Sequence, residues 1–382
     1  MPTKSRATAK ARAPFGGVFA GKKVFVTGHT GFKGAWLCEW LVALGARVTG
    51  FSLPPPTNPS LFEQIGLAER LQHIEGDVRD AEELTRTVQQ AQPDFIFHLA
   101  AQPLVRESYQ TPVETYATNV MGTIHLLQAA RTLRKSCAVV CVTTDKCYEN
   151  REWVHGYREE DPLGGYDPYS SSKAAAEIAI AAWRRSFFKE HPVKVASARA
   201  GNVIGGGDWA ADRIVPDCIR SLQKKQTIAV RNKHATRPWQ HVLEPLSGYL
   251  WLGALLAKPS LGRGSAEKFS SAFNFGPGHD ANRNVAELVE EILKHWPGRW
   301  TDRSDPKAVH EAGLLQLTTD KANALLRWSP AWSFADSVRE TVNWYRTAKS
   351  NPSSAALHRL TLKQIQAYTA CARANGIRWG IG

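Results

Sequence analysis

Apolar residues fall into two alternating rhythms from residue 22 onward. Short, nearly continuous apolar runs at Lys23–Thr27, 47–51, 73–77, 94–99, 138–144 and 194–198 predict buried strands. Between the first two, Phe32, Trp36, Trp40, Leu41 and Leu44 recur at helical spacing until Gly45 ends the run. Ala81–Ala91 and residues 112–134 and 168–188 read as further helices. Strands apolar on both faces, alternating with helices, predict a parallel sheet covered on both sides, hence a doubly wound α/β domain over residues 21–200. After Ala200 the rhythm breaks. Gly205, Gly206 and Gly207 mark a loop, and Pro216, Pro238, Pro245, Pro259, Pro277 and Pro297 punctuate shorter elements. This predicts a smaller mixed α/β substrate lobe over residues 201–350, with segments returning to the sheet. Residues 352–376 read as one more helix, giving a C-terminal helical extension over 351–382.

The ends and the charge refine this picture. Residues 1–20 contain Lys4, Arg6, Lys10 and Arg12, no acidic residue and no apolar stretch of the secretory kind. A disordered basic arm is the expected reading, and an organellar transit peptide the alternative. The apolar runs are too short for a membrane span, which predicts a soluble, cytoplasmic protein. Net charge is +13, from 48 basic and 35 acidic residues among 382. Outside the arm these charges are scattered, and no module for DNA or RNA accompanies them, so steering of anionic small molecules is the expected use. The six cysteines form no Cys-x-x-Cys pair, which predicts neither a structural metal nor a disulfide framework.

Candidate chemistry begins where the first strand ends. Lys23–Thr27 runs into Gly28-His29-Thr30-Gly31-Phe32-Lys33-Gly34 and then a helix. Small residues there let the backbone approach a pyrophosphate, and the helix N-terminus offers free N–H groups to it. The predicted cofactor-binding residues are Gly28, Thr30, Gly31, Phe32, Lys33 and Gly34, in a Rossmann-type domain. Asp77, at the end of the third strand, is a candidate for the adenine amino group, with a solvated strand-end carboxylate as the plain alternative. The second strand ends in Phe51-Ser52-Leu53, with neither an acid for ribose hydroxyls nor an Arg for a 2′-phosphate. NAD is therefore expected over NADP, with Lys33 the one residue arguing the other way.

A second constellation follows in chain order. Tyr169 and Lys173 are spaced as Tyr-x-x-x-Lys, one helical turn apart on one face. A Lys ammonium beside a phenol favours the phenolate, which can take a proton from a sugar hydroxyl. Thr144-Asp145-Lys146 closes a buried strand, at the carboxyl edge where such sheets bind ligands. Taken singly, Tyr169 and Lys173, or Asp145 and Lys146, also read as solvated surface pairs; the shared order with the glycine loop favours function.

Together, the glycine loop, His98-Leu99-Ala100-Ala101-Gln102, Asn119 in Asn-Val-Met-Gly-Thr, the strand-end Thr and Tyr-x-x-x-Lys resemble the extended short-chain dehydrogenases that act on nucleotide sugars, over roughly residues 20–350. An Asp directly after the strand-end Thr resembles the hexose 4,6-dehydratases. Lys146, where the dTDP-glucose and GDP-mannose enzymes carry Glu, resembles the CDP-glucose subgroup, as do Gly-His-Thr-Gly-Phe-Lys-Gly and Pro54-Pro55-Pro56-Thr57. The resemblance implies NAD held also by Val78, Leu99, Ala100, Ala101, Asn119, Tyr169 and Lys173. It implies catalysis by Thr144, Asp145, Lys146, Tyr169 and Lys173, with Lys146 as a base. It implies nucleotide-sugar contacts from Gln102, Asn202, Arg213, Val215 and Arg237. Singly, Arg213 and Arg237 also read as surface salt bridges, and Trp239, His98 and His241 as core residues. Family members often pair through their two long helices, here near residues 112–134 and 168–188, so a homodimer or homotetramer is implied. The rivals are an epimerase, decarboxylase or reductase on the same scaffold, which has no use for an acid at Asp145, and a non-catalytic NAD-sensing protein, which would not need the Tyr/Lys pair.

Overall fold

The computed structural model describes residues 13–262, 264–304 and 314–381. Among them, a parallel sheet is built from β1 (Lys23–Thr27), β2 (Arg47–Ser52), β3 (Gln72–Glu75), β4 (Phe95–His98), β5 (Cys137–Val142) and β6 (Val193–Ala200). Val203–Ile204 (β7), Ile228–Val230 (β8), Thr236–Pro238 (β9) and Gln240–His241 (β10) follow, and Ala272–Phe275 (β11) then returns to the sheet edge beside β6. The order is β3-β2-β1-β4-β5-β6-β11. Progression reverses direction between β1 and β4, which pair in register from Val24 with Phe95 to Thr27 with His98. At such a switch point the loops diverge and leave a crevice at the carboxyl ends of the strands.

β5 is buried at every residue, because helices cover both of its faces. One cover is the helix Leu243–Ala257, which is largely apolar and buried from Leu243 to Leu256. The small sheets pair β7 with β10, β8 with Trp300–Asp302 (β13), and β9 with Asn282–Asn284 (β12). These lie in the region expected as the substrate lobe.

Three expectations differ from the structure. The basic arm was expected through residue 20. Residues 1–12 lie outside the described residues, but Pro14–Gly17 forms a short helical turn and Phe15 and Phe19 are buried. Phe15 stacks on Trp379 at 4.9 Å and meets Trp40 edge-on at 5.5 Å, so two aromatic side chains tie this stretch to the core. The helix expected over 112–134 is Pro112–Tyr116, a π-helical turn at Ala117–Met121, and Gly122–Arg131. The third strand stops at Glu75, leaving Asp77 in the following turn.

The C-terminal helix Ser354–Ala374 is bound into the main core. Tyr368 donates a 2.6 Å hydrogen bond to the carboxylate of Glu244, which also accepts from the backbone N–H groups of Ala331 and Trp332. Burial pushes the Glu244 pKa up to about 7 against the pull of these donors. A carboxyl raised in the folded state adds stability below its ordinary pKa and loses that contribution as pH rises through the folded value. Glu244→Gln is therefore expected to flatten the decline in stability between roughly pH 5 and 8. Denaturant unfolding of both proteins across that range checks it; parallel pH dependences would contradict it.

Candidate active site

The crevice floor begins with the glycine loop. Gly28 adopts φ +74°, and a Cβ there would stand 2.7 Å from the Ala100 nitrogen. Glycine thus lets the loop lie against residues 99–100, whose N–H groups both donate to Thr27 Oγ1. A Cβ on Gly34 would meet the Gly28 carbonyl at 2.1 Å, so the helix Phe32–Ala43 can start close under the loop only with glycine there. The helix has no side-chain cap, which leaves its first N–H groups for an anion. A dinucleotide pyrophosphate fits this cradle. Thr30 Oγ1 bonds Ser52 Oγ and the Leu53 carbonyl, fixing the loop against the end of β2. Phe32 packs against Gly205.

Two loop residues behave in ways the glycine pattern does not disclose. His29 turns away from the crevice: its ring fills the space above Gly50, and its Nε2 is 2.7 Å from His73 Nδ1. Lys33 turns toward the catalytic residues. Its ammonium stands 5.8 Å from the Tyr249 ring centre, and burial, with Arg213 and Lys173 nearby, depresses its pKa to about 8. It is therefore grouped with Asp145 and Lys173 rather than with the Ser52–Leu53 strand end, where a 2′-phosphate would have to be read. Tyr249 itself is fully buried with its hydroxyl unpaired, on the opposite helix. It was missed because a Tyr in an apolar run reads as core.

The other predicted cofactor residues spread along the crevice. Asp77 is held by its own turn, accepting from the Arg79 backbone N–H at 2.9 Å and from Arg79 Nε at 2.7 Å. Its pKa is lowered despite burial, by hydrogen bonds from Arg79. The Val78 side chain packs on Gly122, and its carbonyl is 3.0 Å from His125 Nδ1. Asn119 projects from the π-helical turn. It bridges the Gln102 backbone in both directions and donates to Ser172 Oγ at 2.9 Å, joining the Leu99–Gln102 loop to the helix Pro168–Ser186. A π-turn displaces one residue from regular spacing, a feature periodicity cannot register.

That helix starts with Asp167 as its N-cap and carries Tyr169 and Lys173 inward, both buried. The phenol of Tyr169 is hydrogen-bonded to Thr144, and burial pushes its pKa up to about 12. Burial lowers Lys173 to about 8, with Glu177 pulling it back up. Thr144 caps the short helical turn Asp145–Cys147 and donates to Asp145 Oδ1 at 3.0 Å. Asp145 is almost fully buried, and burial drives its carboxyl above the ordinary range against the pull of Lys146, Thr144, Arg237 and Lys33. Lys146, on the same turn, is half-buried. All five predicted catalytic residues thus come together.

The predicted nucleotide-sugar residues are less uniform. Arg213 pairs with Asp208 at 2.9 Å, which raises its pKa, and precedes the helix Ile214–Gln223. Arg237 is buried in β9 and close enough to Asp145 to lower its pKa. Asn202 follows Gly201, where a Cβ would stand 2.7 Å from Asp145 Oδ2. The Gln102 carboxamide is bonded to Leu104 and Thr115, and the Val215 side chain packs in the core. His98, between Thr27 and Thr123, and His241 are both held neutral by burial, each with a pKa near 3. Trp239 is core, donating to the Arg283 carbonyl.

Known proteins resemble this chain in sequence and fold. The chain is 48% identical over 333 residues to the CDP-glucose 4,6-dehydratase of Salmonella typhimurium, covering 85% of this chain and 91% of that one. A dTDP-glucose 4,6-dehydratase from Streptomyces venezuelae, solved with NAD bound, superposes with TM-score 0.72 at 26% identity, covering 86% and 98% of the chains. A UDP-glucose-4-epimerase from Stenotrophomonas maltophila, at 20% identity, shares the fold with TM-score 0.73 over 87% of this chain and all of that one. The sequence profile of one family, described as GDP-mannose 4,6 dehydratase, matches residues 25–341. Spanning the glycine loop, the Thr144 turn and the Tyr169 helix in a single match, it establishes that this chain belongs to that family.

Proposed function

We propose that the protein is a CDP-glucose 4,6-dehydratase, converting CDP-glucose to CDP-4-keto-6-deoxyglucose and water. The observation that carries the dehydratase reading is Asp145: a buried carboxyl, pushed toward its protonated form, beside Thr144 and Tyr169. An epimerase needs no such acid. The 48% identity to a CDP-glucose enzyme supports the nucleotide.

NAD fits the glycine cradle, and when bound it supplies an acceptor and later donor of hydride, and in its oxidised form a positive charge that favours the Tyr169 phenolate. Gly28, Gly31 and Gly34 would hold its pyrophosphate, with Leu99–Ala101, Asn119, Tyr169 and Lys173 along the rest. Tyr169 takes the proton of the sugar C4 hydroxyl, while Thr144 hydrogen-bonds the oxygen as it becomes a ketone. The ketone acidifies the C5 proton, which Lys146 removes. Asp145 then protonates the departing 6-hydroxyl, and C5 is reprotonated as C6 is reduced. Arg213 and Arg237 serve the diphosphate, for which a planar guanidinium is suited.

Lys146→Ala is expected to lower turnover about 10²–10⁴-fold, the usual cost of losing a general base, and to abolish deuterium exchange from solvent into C5. Retained exchange at the wild-type rate excludes Lys146 as the base.

The pair of helices Gly122–Arg131 and Pro168–Ser186, with the short turns leading into them, leaves Val113, Tyr116, Met121, Ile178 and Phe187 exposed. This supports a homodimer formed through that face. Among the described residues no helix is long and apolar enough to cross a membrane. Six free cysteines suit a reducing compartment, and we place the protein in the cytoplasm.

The deciding experiment incubates purified protein with CDP-, dTDP-, GDP- and UDP-hexoses and follows the alkaline absorbance of a 4-keto-6-deoxy product. Product from CDP-glucose alone is expected. Product from another nucleotide removes the CDP assignment, and product from none removes the dehydratase.

A further inference from the structure

Two buried charges that take no part in the chemistry above lie directly beneath it. Glu177 and Arg199 form an ion pair at 2.8 Å, with side chains only 2% and 4% exposed. Glu177 follows Lys173 by one helical turn on the same face. Its carboxylate accepts from Thr143 Oγ1 at 2.5 Å and from Ser197 Oγ at 2.8 Å. Arg199 donates to the Tyr148 hydroxyl at 2.8 Å and to the Glu159 carbonyl at 2.9 Å, and its guanidinium lies 5.0 Å from the Tyr148 ring centre. Tyr148 in turn donates to Asn274 Oδ1 at 2.7 Å.

Thr143 and Tyr148 bracket the turn that carries Thr144, Asp145 and Lys146. Both ends of that turn are therefore fastened to one ion pair, and the same pair adjoins Lys173. A buried ion pair is weak as a source of stability, because desolvation offsets most of its attraction. We propose that Glu177 and Arg199 are positioning residues that hold the Thr144–Lys146 turn in register with Tyr169 and Lys173, so that oxidation and water loss act on one sugar in one pose. This rests on the roles given above to Tyr169 and Asp145.

The surroundings of Lys173 give the pair an electrostatic signature as well. Lys173 is faced by Glu177 from its own helix, Cys141 from β5 and Cys147 from the turn, with His98 and Lys33 also near. Glu177 is the largest influence opposing the burial that lowers Lys173. Without that negative charge, Lys173 gives up its proton at lower pH.

Thr143→Val keeps shape and removes the tie to Glu177, Thr143→Ser restores the hydroxyl, and Glu177→Gln removes the charge. With CDP-glucose, Thr143→Val and Glu177→Gln are expected to lower kcat about 10–100-fold with KM within about twofold, as a misplaced catalytic group does. Thr143→Ser is expected to recover most of the loss. In Glu177→Gln the alkaline limb of the kcat–pH profile is expected to move down by about one unit, a shift that lost packing alone does not produce. Wild-type kcat in Thr143→Val, or an equal loss in Thr143→Ser, overturns the proposal. If Glu177→Gln does not fold, the two Thr143 variants decide alone. Asp145→Asn run alongside separates the two readings: full activity there refutes the site, whereas an inactive Asp145→Asn with a fully active Thr143→Val refutes only the positioning role.

Discussion

Asp145→Asn is expected to stop the loss of water while earlier steps continue. The carboxyl stands 3.0 Å from the Thr144 hydroxyl, buried, with its pKa displaced upward by that burial. A carboxyl held toward its acid form can hand a proton to a leaving hydroxyl; a carboxamide of the same shape cannot. Turnover is expected to fall about 10²–10⁴-fold, the range for removal of one general acid. Because Tyr169 and Lys146 remain, the C5 position should still exchange with deuterated solvent. Mass spectrometry of the recovered sugar nucleotide reads this directly. Deuterium without product places Asp145 at the elimination step, and turnover within a few-fold of wild type removes it from the mechanism.

Tyr169→Phe is expected to fail one step sooner. It deletes the hydroxyl that would accept the C4 proton and leaves the ring to fill the same buried space. Without a C4 ketone the C5 proton is not acidic, so exchange and product should disappear together. A loss of about 10²–10⁴-fold in kcat with little change in KM is the expected outcome, since the hydroxyl acts in the transition state. Exchange at C5 surviving in Tyr169→Phe would mean that another group starts the reaction.

The two variants differ in which signal they abolish, and that difference follows the order of the chemical steps. The strands, the glycine loop, the Thr144 triplet and the Tyr/Lys pair were all legible because each rests on local spacing. Apolar runs bounded by glycine place strands, and one helical turn places Lys173 beneath Tyr169. The sheet order could be anticipated only as a class, because β11 joins the edge beside β6 from far along the chain. What escaped the sequence was direction. Nothing in Gly-His-Thr-Gly-Phe-Lys-Gly tells that His29 turns under β2 toward His73 while Lys33 turns toward Asp145. Gln102 looked available for a sugar, but a loop carbonyl and Thr115 engage it. Glu177 and Arg199 read as ordinary charges on a helix and a strand, since only the fold reveals that both are enclosed.

The packing of Phe15 on Trp379 has a consequence for the birth of the protein. Phe15 and Trp40 belong to an aromatic cluster whose other members, Tyr368 and Trp379, are synthesised much later. A nascent chain on the ribosome can assemble the first sheet strands as they emerge, yet Phe15 and Trp40 must wait with their faces uncovered until the helices carrying Tyr368 and Trp379 have emerged as well. Throughout that interval the half-made protein presents sticky aromatic surface to its surroundings, and it is then, rather than after completion, that a holding chaperone has most to offer it.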